Sequence, residues 1–412
     1  MDEFYHSISK AINIDKNRED YTRIYDFVRI NIIKGLKENE IFKLIFADLS
    51  LCGSYADNLK ITQPDEFDLV VRLRFPFHES IDLIEDTVQL GNVYIDLTNV
   101  IDLVEKGSTM LKFLKLITNC NGYLLQDKFQ SWFEGILTKY LNKIKYKMIH
   151  EMKQIKLVYN KQGPAHTIKV YSSKCEISID FVPGFRFDKL QSISPRSYLI
   201  DYDDKWEAIP KPIGGPCNPS FRCSYTQSER RLLIGRNQFK NALRMMKKFR
   251  DMNPALVNLK SYFIKTLFLW HNNTVEQTYW NNSNHSIMEE MFEVLERALE
   301  NRKIPFFWDE NVNLLELKAS HHQINCMYHH VRNARKIMSK RSSPEDLQNI
   351  KNLFLTRKEQ EQISRKLEVE IQRSFWDVAT EAAQAVDSYL PWCLGIAAGA
   401  FILSSFLNRQ NN

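Results

Sequence analysis

The chain has few cysteines and none that pair by spacing. Seven occur in 412 residues, at Cys52, Cys120, Cys175, Cys217, Cys223, Cys326 and Cys393. Their scatter excludes a disulfide scaffold, and the N-terminal MDEFYHSISKAINIDKNRED lacks an apolar signal-peptide core, so a reducing, cytoplasmic setting is expected. No internal repeat is present. Charge of one sign is also scarce: 56 lysines and arginines face 50 acids, a net +6, and only local clustering can argue for a polyanionic partner. Long apolar runs are missing until the far end. There, Leu390 to Leu407 is an uncharged stretch of 18 residues, with Gly395 and Gly399 four apart. It is just long enough to span a bilayer, and small residues at this spacing let two helices approach in lipid. Residues 388–408 are therefore expected to form a transmembrane helix anchoring the tail in an intracellular membrane. The competing reading is a hydrophobic helix packed on protein.

What is present describes a folded protein. Hydrophobic residues make up 44% and charged residues 26%, and the length allows two domains of ordinary size. Ile24, Phe27, Ile30, Ile33 and Leu36 recur every three or four positions, which predicts a long amphipathic spine helix over residues 21–49. FDLVVRLRFPF up to Pro76, YIDL around Asp96 and CEISIDFVP up to Pro183 read as strands. From Gln227 the periodicity turns helical, in RLLIGRNQFKNALRMMKKF, SYFIKTLFLW, IMEEMFEVLERALE and PEDLQNIKNLFL. The expected architecture is α+β and bilobal: a mixed-sheet lobe with a spine helix over residues 1–200, then a mostly helical lobe over 201–385. AIPKPIGGPCNPSF, dense in proline and glycine, is the natural connector or equally an ordered loop on the second lobe.

The chemistry concentrates in LCGSYADNLKITQPDEFDLVV. Glu66 and Asp68 are two apart on a strand and point to one face, while Phe67 and Leu69 go to the core. In CEISIDFV, Ile177, Ile179 and Phe181 share the apolar face and Asp180 points the other way. Asp96 is a rival third acid. Three clustered carboxylates repel one another unless cations are bound, and hard oxygen ligands select Mg2+ or Mn2+. Two such ions can activate a hydroxyl and stabilise a leaving pyrophosphate. Gly53 lets backbone approach a triphosphate, and Ser54 can donate to its oxygens.

Taken in order, GS then EFD, SIDFVP, FRCSYTQSE and SYFIKT resemble the cyclic GMP-AMP synthase-like receptors, in the male-abnormal branch of the nucleotidyltransferase fold. The resemblance runs from about residue 20 to residue 380. It implies that ATP and GTP are joined in two steps into a cyclic dinucleotide second messenger of innate immune, antiviral signalling, once a nucleic acid docks on a basic face. It implies Glu66, Asp68 and Asp180 as metal ligands, Ser54 on ATP and Cys52 where a GTP contact is expected. Arg222, Ser224, Thr226 and Glu229 would line bases and phosphates, Lys247 would bind a triphosphate, and Ser261, Tyr262 and Lys265 would close the ATP pocket. The zinc ribbon of the vertebrate DNA-sensing enzyme is absent, so no zinc is expected, although His321, His322, Cys326, His329 and His330 cluster in HHQINCMYHH.

Eight lysines and one acid, Glu151, lie between Lys139 and Lys169. Lys139, Lys143 and Lys147 are expected to line the exposed face of a helix whose other face carries Leu137, Leu141, Ile144 and Met148. RNQFKNALRMMKKFR adds six positive charges. Such surfaces track a duplex backbone, and the missing zinc element argues against a DNA-specific geometry; the resemblance implies double-stranded RNA as the activator, with a homodimer on the nucleic acid as a further expectation that no motif announces. Two rival functions share the fold: a noncatalytic, membrane-anchored nucleotide-binding adaptor of the mitochondrial dynamics type, and an enzyme that adds single nucleotides. Retention of all three acids argues against the first, and SYFIKT with FRCSYTQSE against the second.

Overall fold

The structure, a computed structural model, describes residues 1–14, 18–211, 217–316 and 318–365. Two compact units make up the chain, residues 1–354 and 355–412. The first opens with helices α1 (Asp2–Ala11), α2 (Arg18–Leu36) and α3 (Glu40–Ile45). Strand β1 (Phe46–Cys52), the one-turn helix α4 (Gly53–Ala56) and β2 (Glu66–Leu73) follow. Next come β3 (Asp82–Glu85), β4 (Asn92–Asp96), α5 (Thr98–Leu103), α6 (Thr109–Ile117) and α7 (Gln126–Lys143). The strands β5 (Lys147–His150), β6 (Lys153–Gln162), β7 (Ala165–Tyr171), β8 (Glu176–Asp188), β9 (Lys205–Ile209) and β10 (Ser220–Ser224) then complete the main sheet.

The remainder of this unit is α8 (Thr226–Arg231), α9 (Asn237–Met252), α10 (Ser261–Thr274), α11 (Asn284–Glu300), the hairpin β11 (Pro305–Phe306) and β12 (Asp309–Asn313), α12 (His321–Met338) and α13 (Pro344–Phe354). In the second unit, residues 357–365 are helical. Thr356 and Glu359 cap that helix reciprocally, each backbone N–H donating to the other's side chain, at 2.8 and 3.2 Å. The α+β order expected from the periodicities is therefore the order observed.

The sheet runs β3-β4-β10-β9-β8-β7-β6-β5, and β2, bearing β1 on its far side, joins it at β8. Strand β8 is the hinge of this topology. It pairs with β7 over Glu176 to Phe181, with β9 over Phe185 to Asp188, and in parallel with β2 on its other side. One face of the sheet is apolar and packs on the helices. Tyr25 of α2 stacks on Phe67 at 4.3 Å between centroids, and Phe129 of α7 packs on Phe185 at 4.6 Å. Behind that face α2 and α7 approach closely at Gly35, where a Cβ would fall 2.1 Å from the Tyr140 ring.

Several expectations about local structure need correction. The spine helix ends at Leu36, not residue 49, because Asn39 accepts from Phe42 N and caps a new helix, and β1 already begins at Phe46. Strand β8 does not stop at Pro183. That proline falls in the gap between the β7 and β9 pairings, where its missing N–H costs little. The sheet continues past residue 200 through β9 and β10, so AIPKPIGGPCNPSF connects two adjacent strands and not two lobes. The helix over RLLIGRNQF breaks at Gly235, which has φ +75°. Lys147 leaves its expected helix: α7 ends at Lys143, Lys145 and Tyr146 turn through positive φ, and Lys147 begins β5. Among the described residues no helix is long and apolar enough to cross a membrane, and the run Leu390 to Leu407 lies outside them.

Phe67 is fully buried between Tyr25 and Tyr55 and separates the two acids of β2. Phe67→Ala is expected to lower unfolding free energy by about 3–5 kcal/mol, measured by urea denaturation at a fixed cation concentration.

Candidate active site

Strand pairing assembles the site. Asp68 is in register with Asp180 across the parallel pair β2 and β8, and Glu66 lies two residues back on the same face. Ligand oxygens of Glu66, Asp68 and Asp180 all come within 4.8 Å of one another, the only such group of three among the described residues. Thr167, opposite Asp180 on β7, donates its hydroxyl to Asp180 Oδ1 at 2.6 Å and fixes that carboxylate. Asp96, the rival third acid, is turned to its own loop, where it accepts from Thr98 N and Oγ1.

Crowding has an electrostatic consequence. Burial, with Glu66 and Asp180 beside it, pushes the Asp68 carboxyl up to about 7. Burial, opposed by the Thr167 hydrogen bond and reinforced by Glu66, raises Asp180 as well. A trio in which Asp68 and Asp180 resist ionisation until a positive charge arrives is a fitting donor set for a divalent cation.

The Gly-Ser turn closes against the same point. Gly53 has φ +70°, and a Cβ there would lie 1.7 Å from Asp68 Oδ2. No other residue fits without moving the acid. Ser54 follows in α4, partly exposed, while Cys52 is buried opposite Asp68 with its thiol donating to the Asp68 carbonyl at 3.4 Å. Burial, with Asp68 adding, raises that thiol well above its ordinary range.

The residues assigned to nucleotide from the second half are mostly committed to protein partners. Lys265 lies between Asp57 and Glu229, with Nζ at 2.8 and 2.7 Å from their carboxylates. Burial pulls its ammonium down, but Glu229 and Asp57 more than offset this and hold it above the ordinary lysine range. Tyr262 donates to Glu229 Oε1 at 2.7 Å, and Trp308 Nε1 donates to the same oxygen at 3.1 Å. Ser261 opens α10 one residue before. Arg222 stacks its guanidinium 4.6 Å from the Phe306 ring and donates to Leu90 O, and Thr226 Oγ1 lies 3.5 Å from Glu207 Oε2. Ser224 pairs across from Glu207 on β9. Lys247 is buried, its Nζ 2.7 Å from Leu59 O, and burial draws it down to about 8.

Sequence reasoning missed four participants. Lys60 pairs with Glu66 at 2.7 Å and Asp65 at 3.2 Å. Asp57 anchors both Lys265 and Arg230. Thr167 orients Asp180, and Arg72 of β2 grips the buried Glu207 of β9 at 2.8 and 2.5 Å. Lys60 alone had a signal, a lysine six residues ahead of the first acid of the pair.

Of the expected basic residues, Lys139 and Lys143 are exposed on α7, but Lys143 is paired with Glu38 at 2.8 Å. Lys147 is exposed on β5, opposite Lys156 of β6. The second basic run is not a free surface, since both Lys247 and Lys248 are buried. In the histidine cluster of α12, Cys326 Sγ is 3.8 Å from His322 Nε2, and no third ligand joins them among the described residues.

A sheet that sets three acids beside a Gly-Ser turn, followed by a helical half, is the signature of a nucleotidyltransferase. Residues 55–235 match the Mab-21 protein nucleotidyltransferase domain, and residues 238–333 match the Mab-21 protein HhH/H2TH-like domain. A cyclic GMP-AMP synthase-like receptor of Lucilia cuprina is 34% identical over 365 residues, covering 86% of this chain and 96% of that one. Cyclic GMP-AMP synthase-like receptor 1 of Drosophila melanogaster is 36% identical over 335 residues, covering 79% and 88%. The same-named receptor of Drosophila simulans is 37% identical over 317 residues, covering 74% and 80%. The chain belongs to the Mab-21 nucleotidyltransferase family, in its branch of cyclic GMP-AMP synthase-like receptors.

Two outcomes follow from these charges. Without a divalent cation, Asp68 stays protonated in the folded protein up to about 7, whereas in the unfolded chain it ionises above about 4. The folded state then holds the extra proton, so stability falls as pH rises between those values. Thermal melts of chelator-treated protein should show this fall, Mn2+ should reverse it, and Asp68→Asn should shrink both effects to what the raised Asp180 contributes. Lys265→Met leaves the buried Glu229 without its cation and Asp57 with Arg230, and is expected to cost about 3–5 kcal/mol, read from denaturant unfolding.

Proposed function

We propose that this chain joins ATP and GTP into a cyclic dinucleotide of the cyclic GMP-AMP type, in innate immune signalling, with Glu66, Asp68 and Asp180 as its catalytic carboxylates. The observation that carries the reading is the convergence of these three acids within 4.8 Å on paired strands. The relatives' names, cyclic GMP-AMP synthase-like receptors, supply the product class.

Mg2+ or Mn2+ held by the three acids would lower the pKa of the attacking hydroxyl and take up negative charge on the departing pyrophosphate. Each of the two steps forms one phosphorus–oxygen bond at an α-phosphate and breaks the bond to pyrophosphate. Asp180, whose Oδ1 is held by Thr167, would use its other oxygen as acceptor for the hydroxyl proton. Ser54 and the first turn of α4 donate to the triphosphate, and the absence of a Cβ at Gly53 keeps that turn against Asp68. Tyr262, its hydroxyl fixed by Glu229, offers a flat face to a purine, and Arg222 and Ser224 stand on β10 for base or phosphate contacts. Glu229 and Lys265 act through the placement of Tyr262. Double-stranded RNA is the proposed activator, met by the exposed lysines Lys139, Lys143 and Lys147, with dimerisation on the duplex.

The test is incubation of the full chain with radiolabelled ATP and GTP, Mg2+ or Mn2+, and double-stranded RNA or DNA, beside Asp68→Ala. A phosphatase-resistant dinucleotide that needs the RNA is expected, with a loss of at least about a hundredfold in the variant. Nucleotide binding without product under every condition would sink the synthase reading and favour a noncatalytic adaptor.

A further inference from the structure

Lys60 already occupies one of the three acids. Its side chain is 13% exposed, in the loop between α4 and β2, and its ammonium touches Glu66 Oε2 at 2.7 Å and Asp65 Oδ1 at 3.2 Å. The loop is held there from helix α9. Arg244 Nη1 donates to Asn58 O at 3.2 Å, and Lys247 Nζ donates to Leu59 O at 2.7 Å. Two cationic side chains thus grip the backbone of the two residues before Lys60, and their effect is to aim a third cation at a carboxylate. A divalent ion on Glu66 and an ammonium on the same oxygen repel one another, so both cannot keep full contact with it.

We propose that Lys60 is an internal counter-ion of the triad, which neutralises Glu66 before a divalent cation arrives and must leave it when the cation binds. The inference rests on reading Glu66, Asp68 and Asp180 as a cation site. It assigns Lys60 a role in setting cation affinity, a role distinct from holding the fold. When a triphosphate enters with the cation, its own negative charge gives the released ammonium a new partner within the same loop's reach, which couples cation loading to nucleotide binding.

The experiment measures Mn2+ binding to the full chain without nucleotide, by loss of the free-ion paramagnetic resonance signal. Wild type, Lys60→Met, Lys60→Arg and the double variant Lys60→Met with Asp68→Asn are compared, with thermal melts to confirm folding. Methionine keeps much of the stem and removes the charge, and Lys60→Gln serves if the methionine variant fails to fold. Lys60→Met is expected to bind Mn2+ roughly two- to fivefold more tightly, the factor an ion pair of this exposure contributes. Lys60→Arg should resemble wild type, and the double variant should lose the tightened site. Unchanged or weaker affinity in Lys60→Met, with an Asp68-dependent site present in wild type, overturns the counter-ion role and leaves the cation site standing. Tightening that persists in the double variant puts the ion elsewhere and also overturns the proposal. Absence of Asp68-dependent binding in every protein overturns the cation reading itself, and the proposal with it.

Discussion

Three negative groups drawn together on paired strands are the constraint to which the surrounding structure answers. Nothing in a β-sheet requires acids at adjacent positions of neighbouring strands, and their mutual repulsion opposes it. The fold supplies the opposing force through the apolar face of the same strands. Phe67, Leu69, Ile179 and Phe181 are all buried, so the parity that sends them into the core sends Glu66, Asp68 and Asp180 to the other side. Register cannot slip by one residue without exposing that core. Burial on one face therefore holds charge on the other.

A second layer of charge spans the sheet and the helical half. Asp57 follows the Gly-Ser turn, Glu229 lies on α8 and Lys265 on α10, yet they meet in one buried contact. Arg72 and Glu207 form a second buried pair within the sheet, linking β2 to β9. Such pairs add little net stability over apolar packing, but breaking one strands a buried charge. Their effect is geometric: the turn that faces the triad is fixed to α8 and α10.

The fold was legible where periodicity was strong and local. The strand around Glu66 and Asp68, the helices α10, α11 and α13, and the parity of Asp180 could all be read from spacing. What failed depended on partners distant in sequence. Strand β1 looks like a continuation of the spine helix because Phe46 to Cys52 carries no strand signal apart from its pairing with β2. Pro183 reads as a strand end unless one knows that β8 changes neighbour at that point. Lys147 looked helical because nothing in the run of lysines announces the left-handed turn at Lys145 and Tyr146. The acids of the site were readable since each sits on an alternating strand. Thr167, Asp57 and Glu207 were not, because their meaning lies in the residue opposite.

The same distinction governs the cations. A lysine or arginine in a nucleotide-binding sequence invites assignment to phosphate, but an ammonium with a buried carboxylate at 2.7 Å is already neutralised. Lys265 is of that kind, and Lys247 is held by a carbonyl. Their charge remains in the local field, where Lys247 helps restrain the rise of the Asp68 pKa. It is not free to follow a ligand. On the proposed function, an incoming triphosphate would meet positive side chains that are largely engaged, with Lys60 paired to an acid of the triad. On the proposed chemistry, most of the compensating charge would have to come with the nucleotide, as a divalent ion on the three carboxylates.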